Sequence, residues 1–130
     1  MGLWSWLFPS PEQKLDAARE ALAAGRFNDA RLAAQALDLP GARAIVEEAE
    51  EGLMRLNLAH AVSWGEAGDA GRVQHHMELA ARFARPDHAW ELRDAERRIR
   101  ELDQARQAEA RARAAQDERR WMDEIGRAHV

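Results

Sequence analysis

The segment AAREALAAGRFNDARLAAQALDLP, residues 17–40, decides the fold because it contains the pattern of two helices joined by a glycine turn. Alanine and leucine recur every three or four residues on each side of Gly25, which is the spacing of one helix face. Gly25 is the residue type favoured just after a helix, and Pro40 closes the second helix. The segment therefore predicts an antiparallel helical hairpin.

The sequence on both sides of this hairpin is also helical in pattern. Ser10 and Gln13 form a capping box, with Pro11 at the first helical position. Further helices are expected at about residues 42–66, then after Gly68, and finally from residue 89 onward. Thr and Tyr are absent, and β-branched and aromatic residues such as these are the ones that favour β-strands. The predicted class is all-α: stacked antiparallel helical hairpins followed by a long charged C-terminal helix.

The hairpin resembles a tetratricopeptide repeat, and a weaker second copy follows it within residues 11–86. The second glycine turn begins 43 residues after the first, whereas the family period is about 34 residues. Val73 stands where the family has alanine. The matching positions are Ala18, Ala21, Gly25, Phe27, Ala30 and Pro40 in the first copy, and Ala61, Trp64, Gly68 and Ala80 in the second.

The resemblance implies that the first helix of each hairpin lines a concave face that binds a protein or peptide. Arg19 and Arg55 would then hold a carboxylate or backbone carbonyls of that partner. A closed bundle without a groove is the alternative, in which the same residues are simply core and surface. Carried over by position, the partner-binding residues are Leu15, Arg19, Leu22, Arg55, Leu58 and Val62.

Composition excludes several classes of function. The 130 residues contain no Cys, which excludes disulfide frameworks, thiolate metal sites and Cys nucleophiles. The net charge of −4 argues against a nucleic-acid partner, because such proteins normally carry a basic surplus. Neither glycine turn carries a phosphate-binding motif. We therefore expect no cofactor.

Candidate catalytic and metal-ligating residues are few. Ser63 approximates the centre of a nucleophile elbow, but it lies in a helical pattern rather than after a strand. His75 and His76 are adjacent, so on a helix they point about 100° apart and do not easily share an ion. His60 and His76 are able to face each other across two helices, with no carboxylate spaced to complete a site. The sequence predicts neither catalytic residues nor a metal site.

The predicted hydrophobic core is built from alanines and large apolar residues. Trp64, Trp90 and Trp121 occur at helical spacing and are expected to be packing residues as well. The large core residues are Leu15, Leu22, Leu32, Leu37, Ile45, Leu53, Leu56, Met77 and Leu79.

Residues 1–9 form an apolar, tryptophan-containing segment ahead of the hairpin domain at residues 10–88. Its large apolar side chains are expected to be buried against another surface. Three surfaces are possible: the hairpins themselves, a membrane interface, or a partner molecule. The segment is too short for a spanning helix or a signal peptide, so we expect a cytoplasmic protein, peripheral to the inner face of a membrane in the second case. The docking residues are Leu3, Trp4, Trp6, Leu7 and Phe8.

Residues 89–123 predict one long helix rich in Arg, Glu and Ala, which either projects from the hairpins or self-associates as a coiled coil. Residues 124–130, EIGRAHV, are what GAGATCGGAAGAGCACACGTC encodes, and that nucleotide string resembles a widely used sequencing adapter. We therefore expect residues 124–130 to be a non-native tail and the natural chain to continue differently.

Together these features favour a non-enzymatic protein–protein interaction or scaffold module, as the N-terminal part of a longer protein. Two alternatives stay open. One is a structural protein that oligomerises through the long helix. The other is the regulatory front of an enzyme whose catalytic domain is missing.

Overall fold

The computed structural model describes residues 8–129, and within that range the chain consists of helices and connecting turns. α1 and α2 form one hairpin, α3 and α4 form a second, and α5 packs mainly on α3. The predicted all-α fold of stacked hairpins followed by a long helix is confirmed. The elements are α1 (Pro11–Ala23), α2 (Phe27–Gln35), α3 (Ala42–Ala67), α4 (Ala70–Phe83), a 3-10 turn (Pro86–His88) and α5 (Ala89–Ala128).

The first hairpin begins and turns where its local sequence requires. The predicted capping box is present: Ser10 Oγ accepts from the Gln13 amide at 3.2 Å, and the Ser10 amide donates to Gln13 Oε1 at 2.8 Å. At the turn, Gly25 has φ +77°, a conformation that residues with a side chain rarely adopt. The chain then reverses so that the Arg26 amide donates to the Ala21 carbonyl at 2.9 Å. α2 begins at the next residue.

Two small hydrophobic cores lie on opposite sides of α3. Ile45 and Met54 are nine residues apart, and at about 100° per residue this separation places them on opposite faces of the helix. The first core joins α1, α2 and the start of α3, whereas the second joins the rest of α3 with α4 and α5. The buried residues are Leu15, Ala18, Ala21, Ala30, Ala34, Ala42, Ile45 and Ala49 in the first core, and Met54, Leu58, Ala80 and Ala95 in the second.

Gly52 lies in the middle of α3, which runs unbroken from Ala42 to Ala67. A Cβ atom at this position would come within 2.5 Å of the Phe27 ring. Gly52 therefore allows Phe27, at the start of α2, to pack directly on the α3 backbone. The glycine is a contact residue rather than a helix break.

Two of the predicted core leucines are on the surface. Leu32 is 52% exposed on the outer face of α2, and Leu56 is 42% exposed. Leu56 continues the face of Ile45, but it lies beyond the end of the first hairpin, where α3 has already changed its packing face. The prediction that Leu32 and Leu56 belong to the core was therefore wrong, and the predicted core omitted the fully buried Met54. Leu15 and Ile45 are buried as predicted, and the remaining core candidates are half-buried: Leu22, Leu37, Leu53, Met77 and Leu79.

α5 is tied to the hairpins only over its first half. The Arg106 guanidinium donates to the Gly65 carbonyl at 2.6 Å and to the Glu66 carbonyl at 2.8 Å, at the C-terminal end of α3. Beyond this contact, residues 107–124 are exposed. The helix has 40 residues, which at a rise of about 1.5 Å each makes it about 60 Å long. Its second half therefore projects from the hairpins.

Candidate partner-binding grooves

Two open grooves lie on one side of α3 and meet at Arg55. The α1–α3 groove has a volume of about 720 Å³ and lies between the α1–α2 turn and α3. The α3–α5 groove has a volume of about 390 Å³ and lies between α3 and the start of α5. The first is lined by Leu22, Phe27, Glu48, Glu51, Gly52, Arg55 and Leu56. The second is lined by Arg55, Leu58, Ala59, Val62, Trp90, Glu91, Asp94, Ala95 and Arg98.

Arg55 is held by two carboxylates at the junction of the grooves. Its Nε donates to Glu91 Oε2 at 3.0 Å and its Nη2 donates to Glu91 Oε1 at 3.1 Å. The same Nη2 lies 2.7 Å from Glu51 Oε1. These hydrogen bonds, with that of Glu91 foremost, raise the pKa of Arg55 and lower the pKa of Glu91. The two-pronged contact links α3 to α5 and separates one groove from the other.

The chain segment between α4 and α5 lies against two glutamates of α3. Arg85 lies 3.8 Å from Glu47, and the His88 ring lies 3.7 Å from Glu51. His88 is buried, and its Nδ1 accepts from the Arg85 amide at 3.1 Å. Together with the Arg55 contact one turn further along α3, these contacts join α3 to the start of α5 and to the segment before it.

The charged groups along the α3–α5 groove are paired within the chain. Asp94 accepts from Arg97 at 2.6 Å and lies 3.4 Å from Arg98. The hydrogen bond from Arg97 lowers the pKa of Asp94. With the charges neutralised in this way, the floor of Ala59 and Val62 offers mainly apolar surface to a ligand. The groove therefore suits apolar side chains better than a free carboxylate.

The structure brings four of the six predicted partner-binding residues to these grooves: Leu22, Arg55, Leu58 and Val62. Leu15 is buried in the first core instead. Arg19 lies beside Gly41, where its Nη2 would be 3.2 Å from an added Cβ, and it pairs with Asp16 at 3.2 Å.

Sequence reasoning missed Trp90, which is 63% exposed at the edge of the α3–α5 groove. The expectation that Trp90 and Trp121 are packing residues was wrong, because Trp121 is also 61% exposed. The signal was available: Trp90 lies off the face of α5 that carries Leu92 and Ala95 toward α3. Trp64 does pack, with the Arg72 guanidinium 4.1 Å above its ring.

The predicted N-terminal docking residues fall almost wholly outside the described range. Leu3, Trp4, Trp6 and Leu7 precede residue 8, so their docking stays a prediction. Phe8 is described, and it is 66% exposed.

Three histidines lie close together where α3 packs against α4: His60 is on α3, and His75 and His76 are on α4. The ring centroids of His60 and His76 are 5.1 Å apart, and those of His75 and His76 are 5.2 Å apart. His76 Nδ1 lies 2.9 Å from Asn57 Oδ1. Burial lowers the pKa of His76, and the neighbouring His60, His75 and Arg72 lower it further.

Ser63 lies exposed inside α3, not on a turn after a strand. Among residues 8–129, no group of three or more ligating side chains is arranged to hold a metal ion. Over the same range, no helix is both long enough and apolar enough to cross a bilayer.

Comparisons with models of known protein families, with curated proteins and with solved structures gave no match.

Proposed function

We propose that this chain is a non-enzymatic interaction module that binds a segment of a partner protein along the face formed by α1, α3 and α5. The observation that carries the proposal is the pair of open grooves that meet at Arg55. The resemblance to tetratricopeptide repeats supports the choice of this face, because four of the six residues that it implies line the two grooves. We propose that the module is located in the cytoplasm. If it lies against a membrane, residues 3–8 are the proposed point of contact.

The chemistry of the lining indicates what kind of segment fits. Exposed aromatic side chains beside apolar pockets are the usual anchors of protein interfaces, and Trp90 stands in that position. Arg55 is paired with Glu91 and Glu51, so its guanidinium is held in place between the two grooves. The partner segment is therefore held chiefly by apolar side chains on either side of Arg55.

The proposal is tested by selecting peptides from a display library on the full chain and measuring their affinity for variants by fluorescence anisotropy. Ala59→Arg places a long side chain in the floor of the α3–α5 groove, and we expect it to weaken selected peptides at least tenfold. Ala33→Arg is the matched control, because Ala33 is an exposed helical alanine on α2 that lines neither groove. Peptides that bind the two variants equally, or a selection that yields none, would contradict the proposal.

Self-association through α5 is the second candidate, favoured by one observation. Residues 107–124 are exposed, and Trp121 and Met122 are each 61% exposed within them. Sedimentation velocity of the full chain against residues 1–107 separates the two functions. A dimer that disappears on truncation supports self-association, whereas a monomer in both cases excludes it.

A further inference from the structure

His60 and His76 approach each other across the interface between α3 and α4, away from the grooves. Their ring centroids are 5.1 Å apart. When two imidazoles bind one tetrahedral ion at about 2.0–2.1 Å, their centroids lie about 5 Å apart. In the structure the two rings form an edge-to-face contact with their planes inclined by 70°. The helix pair therefore places them close enough to share one ion after rotation of the His60 side chain.

Asn57 orients the His76 ring from behind. Asn57 is buried, and its Nδ2 donates to the Leu53 carbonyl at 2.9 Å, which leaves its Oδ1 to face His76. Since Asn57 Oδ1 is an acceptor, His76 Nδ1 is the donor in their 2.9 Å contact. The proton thus lies on Nδ1 and the lone pair on Nε2. Metal-binding histidines are held in the same way, with the second ring nitrogen donating to an oxygen.

His75 lies as close to His76 as His60 does, with ring centroids 5.2 Å apart, but the direction of its side chain separates it from the proposed site. It precedes His76 on the same helix, so the two side chains leave the backbone about 100° apart. His60 lies on the other helix and is exposed, so its ring is able to turn toward Nε2 of His76 without disturbing packed residues. Arg72, the neighbouring cation, is held over Trp64 and lies 3.6 Å from Asp69.

We propose that His60 and His76 form a two-histidine site for a divalent transition-metal ion of the kind that imidazole prefers, namely Zn²⁺, Ni²⁺ or Cu²⁺. Water completes the coordination. With two protein ligands, the ion is bound reversibly and more weakly than in a structural zinc site. An ion bound here joins α3 to α4 and stabilises the second hairpin.

The test measures thermal unfolding of the full chain, free of any affinity tag, while NiCl₂ or ZnCl₂ is added. We expect a saturable rise in Tm, because a ligand that binds only the folded state stabilises it by mass action. Isothermal titration with NiCl₂ should give one ion per chain. No rise in Tm, together with no heat of binding, would overturn the proposal.

Three variants locate the site. His60→Ala should fold as the parent does, since His60 is exposed, and should lose the metal-dependent rise in Tm. His76→Gln should lose it too, because an amide does not replace imidazole as a ligand. His75→Ala is the matched control and should bind nickel within threefold of the parent. If His60→Ala retains the effect, or if His75→Ala loses it equally, the two-histidine assignment is wrong. His60→Ala decides alone if His76→Gln does not fold.

Discussion

Replacing Gly52 by alanine is expected to destabilise the protein, although alanine is the better helix former. In an exposed helix interior, Gly→Ala stabilises by about 1 kcal/mol. Here the added Cβ would lie 2.5, 2.6 and 2.8 Å from three carbons of the Phe27 ring. Carbon atoms pack at about 3.5–4.0 Å, so the ring would have to move by about 1 Å.

The size of the effect follows from these opposing contributions. Overpacking of this kind costs about 1–3 kcal/mol. A ring displaced by about 1 Å should cost an amount in the upper half of that range, which exceeds the gain of about 1 kcal/mol from the better helix propensity of alanine. Phe27 packs against the first core, so its displacement also loosens the contact of α2 with α3. We expect Gly52→Ala to lower the free energy of unfolding by about 1–2 kcal/mol.

Urea unfolding followed by circular dichroism measures this change, and a double-mutant cycle tests its cause. In a Phe27→Ala background the clash is absent, so Gly52→Ala should become stabilising by up to about 1 kcal/mol. Gly71→Ala is the control, because its Cβ would meet only Asp69 Oδ1, at an ordinary 3.7 Å. If Gly52→Ala is stabilising in both backgrounds, Phe27 does not pack on Gly52 and the arrangement of the first hairpin is wrong.

Three further predictions concern α5. Glu91→Gln should lower the free energy of unfolding by about 1 kcal/mol at pH 7, near the upper limit for partly exposed ion pairs. Pairing with Arg55 lowers the pKa of Glu91 in the folded state. The difference in stability between parent and variant, measured by urea unfolding, should therefore be complete above the ordinary pKa of Glu and should shrink as the pH falls through the lowered pKa. A difference that stays constant across that range would contradict the pairing. Arg106→Ala should cost about 1–2 kcal/mol by removing two charged hydrogen bonds to the end of α3, whereas the exposed Arg111→Ala should change stability by less than about 0.5 kcal/mol in the same assay. Equal effects of the two substitutions would show that Arg106 does not hold α5. Deleting residues 108–130 should leave the Tm of the monomer unchanged by calorimetry, since residues 107–124 are exposed, and a drop would show that they pack against something.

Features that depend on neighbouring residues were predictable from the sequence. The capping box at Ser10 and the turns at Gly25 and Gly68 involve contacts within one or two helical turns, and all three are where the pattern predicts them. Leu22 and Val62, which line the grooves, were named through the resemblance to tetratricopeptide repeats and not through local contacts.

By itself, then, the sequence determined that the chain is helical, where the first and third helices end, and in what order the helices form hairpins. The predicted end of the second helix at Pro40 was wrong, because α2 ends at Gln35. Only the tertiary structure decided that α3 changes its packing face between Ile45 and Met54, which exposes Leu56. It also decided that Arg55 is bound by Glu91, 36 residues away, instead of being free for a partner. Helix ends depend on the hydrogen bonds of adjacent residues, whereas these contacts depend on how separate helices cross, and residue spacing along one helix does not contain that information.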